Sequence, residues 1–176
     1  MIRTLSLLLI SFCLLTIYAV ANDKPGSYEE AYPEIGYKTV EGALDDFEQH
    51  FKQKLKLPLR VPPISFTHQL GRFNDLDGDI NDTFEVTFIN DQLPENHFKI
   101  DVHPFNHKIE FSEKYVSRKF QLNNGKVAKY MEKPIPDFNL LVFERDNWQY
   151  VFSIDKKVSD IVTPEVLVQI ANSIDF

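Results

Sequence analysis

Phe138-Asn139-Leu140-Leu141-Val142-Phe143-Glu144-Arg145-Asp146-Asn147-Trp148-Gln149-Tyr150-Val151-Phe152-Ser153-Ile154 is the stretch that decides the fold. Two runs rich in β-branched and aromatic residues, Phe138–Glu144 and Trp148–Ile154, flank the polar separator Arg145-Asp146-Asn147. Such side chains suit a pleated surface, and a separator this short leaves only antiparallel pairing open. Trp148, Tyr150, Phe152 and Ile154 share one face of the second run. That stripe predicts a sheet face buried under a helix. Its other use is the lining of an apolar ligand groove, and Phe138, Leu140 and Val142 on the neighbouring run fit both.

The period of two persists toward the N-terminus as far as Ser65. Phe84, Val86 and Phe88 alternate with Thr83, Glu85 and Thr87, and Phe98, Ile100 and Val102 alternate with His97, Lys99, Asp101 and His103. Further strands are predicted at Lys108–Phe111, Val116–Leu122 and Lys126–Met131. Their separators, Pro104-Phe105-Asn106, Asn123-Asn124-Gly125 and Pro134-Ile135-Pro136-Asp137, are turn-forming. An antiparallel meander of about seven strands follows from these connections.

Helices bracket the strands. Thr39 is an N-cap for a helix to about Leu55, with Val40, Leu44, Phe47, Phe51 and Leu55 in one apolar stripe and Pro58 as its stop. At the other end Thr163 caps a short helix with Pro164 at its first position, and Leu167, Ile170, Ala171 and Ile174 make its stripe. The predicted class is therefore α+β: an N-terminal helix, the sheet and a short C-terminal helix, with both helices on one sheet face.

Residues 1–21 have the layout of a secretory signal peptide. Arg3 supplies the charged start, Leu5–Val20 the apolar run, and Ala19-Val20-Ala21 the small-x-small cleavage site. Cleavage after Ala21 removes the single cysteine, Cys13, so the exported chain holds together without disulfides. Phe12 before Cys13 is too large for a lipid-attachment site. An uncleaved membrane anchor is the alternative for this run; after cleavage no membrane association is expected. Residues 22–38, with Pro25, Gly26, Pro33 and Gly36, read as a polar arm or linker, and residues 39–176 as one domain.

The 176 residues are 43% hydrophobic and include 15 Phe, which supports a packed core rather than disorder. The formal charge is −7, and loss of Arg3 with the leader makes it −8. A chain this acidic, without a basic block, is repelled by phosphate backbones, so nucleic acid is excluded as a partner.

Two polar clusters carry candidate metal chemistry. Asp75, Asp77, Asp79 and Asn81 alternate through Asn74–Asp82, a spacing that lets oxygens converge on Ca²⁺. The register departs from an EF-hand loop, because the sixth and twelfth positions from Asp75 are Ile80 and Val86 rather than Gly and Glu. His97, His103 and His107 form the other cluster. A tight turn would set His103 against His107 within reach of one Zn²⁺, with Asp101 as a further ligand. His50 and His68 have no partner spacing. No nucleophile elbow, exported cysteine or His-Glu-x-x-His helix is present, so the sequence points away from an enzyme without excluding one.

The C-terminal pattern Leu140-Leu141-Val142-Phe143, a polar turn, Trp148-x-Tyr150 and a helix ending Ile170-Ala171-Asn172-Ser173-Ile174 resembles a family of uncharacterised Gram-positive extracytoplasmic α+β domains. These occur in secreted proteins, in lipoproteins and behind anti-sigma-factor anchors. Leu57-Pro58 and Val61-Pro62 with Ile64 and Phe66 resemble the approach to that family's sheet. The resemblance implies an envelope-facing binding or sensing domain and carries over no catalytic residues. The expected role is a secreted, non-enzymatic module for a protein or apolar ligand on the uncovered sheet face. The alternative is a metal-dependent enzyme or a calcium-stabilised extracellular protein.

Overall fold

The computed structural model describes residues 28–75 and 82–175. The leader with Ala19 and Ala21 lies outside the described residues, as do Asp77, Asp79 and Asn81. Residues from Tyr32 onward form one compact unit, ahead of the expected start at Thr39. The element order is α1 (Tyr28–Glu34), α2 (Val40–Phe51), β1 (His68–Asn74), β2 (Thr83–Ile89), β3 (Phe98–Pro104), β4 (Val116–Gln121), β5 (Val127–Ile135), β6 (Phe138–Arg145), β7 (Trp148–Asp155) and α3 (Pro164–Asn172). The α+β class with a seven-stranded antiparallel sheet is as predicted.

Spatial order in the sheet is β1-β2-β3-β7-β6-β5-β4, two meanders joined by the antiparallel pairing of β3 with β7. One expected strand is absent and one strand was not expected. Lys108–Phe111 is not a strand: the chain crosses there between 3₁₀ turns at Phe105–His107 and Glu113–Tyr115. Its backbone bonds to a side chain instead. Ile109 N–H donates to Gln149 Oε1 at 2.8 Å, and Gln149 Nε2 donates to Ile109 O at 2.9 Å. The seventh strand is β1, where Gly71 and the weak alternation of Leu70-Gly71-Arg72 hide the pattern.

Thr39 caps α2 as predicted, its Oγ1 accepting the Gly42 N–H at 3.2 Å. The helix ends at Phe51 and not near Leu55, because Lys52 turns left-handed at φ 52. Glu48 Oε1 then accepts the Leu55 N–H at 2.9 Å, and Leu55 enters the core from a loop. Within the segment read as a polar arm or linker, residues Tyr28–Glu34 form the helix α1.

Registered pairs divide the sheet cleanly. Phe84, Val102, Tyr150 and Phe143 fall on one face, and Glu85, Asp101, Val151 and Val142 on the other. Both α2 and α3 bury their stripes on the first face, through Ala43, Phe47, Leu167, Ile170 and Ala171. Phe47 is the anchor of α2, its ring centroid 4.9 Å from Trp148 and 5.6 Å from both Phe73 and Phe84. The second face is not left open throughout. Phe111 and Tyr115 of the crossover pack on Met131, Leu140, Val142 and Val151, making a second small core.

Helix α2 and β1 approach each other at Gly71. A Cβ there would lie 2.7 Å from Val40 Cα and 3.0 Å from Ala43 Cβ. The same residue exchanges backbone hydrogen bonds of 2.8 and 2.9 Å with Lys38. Gly71→Ala should therefore lower the unfolding free energy by about 1–3 kcal/mol in urea titration, the usual cost of overpacking.

Candidate functional site

The free part of the second sheet face lies between the N-terminal turn and the β5–β6 hairpin. Its shape starts with Gly36. At φ +91 this glycine ends α1, with Gly36 N–H donating to Pro33 O at 3.1 Å and Tyr37 N–H to Tyr32 O at 3.1 Å. That is the Schellman arrangement, which favours an apolar contact between the residues it brings together. Here the contact is Tyr32 against Tyr37, ring centroids 4.9 Å apart. The turn aims Tyr37 over the sheet, where its hydroxyl donates to Glu85 and the Arg72 guanidinium sits 4.4 Å from its ring.

Tyr32 and Tyr37 form one wall, and Ile135 and Phe138 form the opposite one. Glu85, Thr87, Lys99 and Ser153 line the floor, with Arg72 and His97 at the margins. The groove encloses about 310 Å³, near the lower end of the range for small-ligand sites. His97 stands edge-on to Phe138 with ring centroids 5.2 Å apart.

The floor carries an ionic ladder. Arg72 contacts Glu85 at 3.1 Å, and Lys99 bridges Glu85 at 3.4 Å and Asp101 at 3.1 Å. Glu85 and Asp101 are register partners on β2 and β3, so two carboxylates face one another directly. Like charges so placed destabilise a sheet. Burial is the larger force on Asp101, whose side chain is 18% exposed, and it pushes the carboxyl up to about 6 against the pull of Lys99. Burial also drives Glu85 upward, but the Tyr37 hydrogen bond, Lys99 and Arg72 together hold it below the usual carboxylate range. Burial and then Glu85 raise the Tyr37 hydroxyl. His97 and His103 are both lowered by burial and by Lys99.

The predicted histidine cluster is not assembled. His97 lies at the groove, His103 is paired in register with Gln149, and His107 sits in the 3₁₀ turn after β3. The 3₁₀ turn takes the place of the hairpin that would have set His103 opposite His107. Asp101 is committed to Lys99. Among the described residues, one set of three His, Cys, Asp or Glu side chains has its donor atoms within 4.8 Å of one another: His50, Asp75 and Asp82. Asp75 was a predicted ligand; His50 and Asp82 were not. The signal for them was tertiary, since His50 closes α2 while Asp75 follows β1 and Asp82 precedes β2.

No family model, curated protein or solved structure matches this chain. Among the described residues no helix is long and apolar enough to cross a membrane.

The raised Asp101 carboxyl makes a pH prediction. A folded-state value above the unfolded one favours folding most in acid, and that contribution is lost as pH rises from about 4 through about 6. Asp101→Asn removes it. Relative to the parent protein the variant should gain on the order of 2 kcal/mol between pH 4 and pH 7. Urea titrations at both pH values check this, and a pH-independent difference would contradict it.

Proposed function

We propose that this chain is an exported, non-enzymatic binding module whose ligand seats in the groove between Tyr37 and Phe138. Export rests on the charged start, apolar run and Ala19-Val20-Ala21 site of the leader. The C-terminal resemblance to extracytoplasmic domains supports the same placement, and kinship with that family is part of the proposal.

The observation that carries the binding reading is the pairing of aromatic walls with a buried, charged floor in one concavity. A solvated sheet face needs no such floor. Ligand sites combine apolar enclosure with a few convergent polar groups, and perturbed carboxyls gather at such places. The fitting ligand has an apolar body, for Tyr32, Tyr37, Ile135 and Phe138, and a hydrogen-bonding end for Arg72, Lys99 and Glu85. At about 310 Å³ the groove suits a small amphipathic molecule or one projecting side chain of a protein partner.

A fragment screen by amide NMR tests this. Hits should perturb Thr87, Lys99, Phe138 and Ser153 together, and Phe138→Ala should weaken them roughly tenfold or more while the remaining spectrum is retained. Hits that map to the crossover at Lys108–Tyr115 or to the helices, with the groove silent, would contradict the reading.

A further inference from the structure

Independently of the groove, we infer that His50, Asp75 and Asp82 form a binding site for a first-row divalent transition metal, of the Zn²⁺ class. The three residues come from separate elements: the last turn of α2, the end of β1 and the approach to β2. One ring nitrogen of His50 and one carboxylate oxygen each of Asp75 and Asp82 all lie within 4.8 Å of one another, and His50 Nε2 is 2.9 Å from Asp82 Oδ2.

Two donors of one tetrahedral zinc ion, each about 2.0–2.1 Å from it, are roughly 3.4 Å apart. The His50–Asp82 pair is already near that separation. Asp75 is the outer member, its side chain 65% exposed, so rotation about its own bonds closes the set. The other two are held. The His50 ring packs on Phe51 and Phe73 at centroid distances of 4.7 and 5.2 Å, and the Asp82 side chain is 1% exposed.

Charge points the same way. Asp82 faces the His50 imidazole, with the Asp75 carboxylate beyond the ring. As metal ligands, one imidazole and two carboxylates present two negative charges to a divalent ion. Imidazole nitrogen selects the metal: Zn²⁺ and its neighbours take mixed nitrogen and oxygen donors, whereas Ca²⁺ and Mg²⁺ are bound through oxygen alone. Asp75 is shared with the calcium reading of its stretch, whose other members, Asp77, Asp79 and Asn81, lie outside the described residues.

The ion would fasten the end of α2 to the base of the β1–β2 connection, so its binding should register as stability. Zn²⁺ in excess should raise the thermal unfolding midpoint of the protein, and Ca²⁺ or Mg²⁺ should not. His50→Gln and Asp75→Asn alter partly exposed positions and should keep the fold, and each should abolish the Zn²⁺ shift. Zn²⁺ titration followed by calorimetry gives a second readout, with the stoichiometric heat of the parent protein lost in both variants. No Zn²⁺ shift in the parent protein, an undiminished shift in both variants, or an equal response to Ca²⁺ would each overturn the assignment.

Discussion

The antiparallel pairing of β3 with β7 is the interaction on which the rest of this structure depends. It brings together strands separated by three other strands in sequence, and so joins two meanders into one sheet. Closing such a separation costs conformational entropy, although that cost grows slowly with loop length. It is offset on the helix face, where Phe98, Ile100 and Val102 register against Ile154, Phe152 and Tyr150, all buried. On the opposite face the same pairing sets Lys99 beside Ser153 and Asp101 beside Val151. It also forces residues 105–115 to cross the sheet, where Gln149 of β7 binds them in place of a neighbouring strand. The groove is the part of this face that the crossover leaves uncovered.

The ionic ladder in that groove is costly by local rules. Glu85 and Asp101 oppose each other, both largely buried, with Lys99 shared between them. Taking charges out of water carries a penalty that their mutual attraction does not fully return. Apolar residues at these positions would extend the small core of Met131, Leu140, Val142 and Val151 across the sheet. The chain instead keeps a charged floor and stations Tyr37 over it. Local conflicts of this kind collect where structure serves binding rather than stability.

What was legible in the sequence follows from the same physics. The β6–β7 hairpin, β2, β3 and both stripe-bearing helices announced themselves, because period and turn chemistry agree there. Strand β1 did not, since the close approach to α2 requires Gly71 at the point where alternation would show. Lys108–Phe111 alternates like a strand, yet its hydrogen-bonding partner is the Gln149 amide, which no periodicity discloses. The acidic character near Asp75 was visible, but its histidine lies on α2, brought close by Phe47 packing on Phe73 and Phe84. Of the groove walls, Phe138 was legible as a candidate lining residue, but Tyr37 was not. Tyr37 read as part of a loose arm, and only the left-handed Gly36 turns it onto Glu85.

If the ladder is kept for binding, removing it should not cost stability. The direct measurement is the unfolding free energy at pH 7 of a Lys99→Met, Asp101→Leu double variant, in which Glu85 keeps Arg72 and Tyr37. The account predicts a value within about 1 kcal/mol of the parent protein or above it. A loss of about 3 kcal/mol or more would show the ladder to be a structural element and contradict the account.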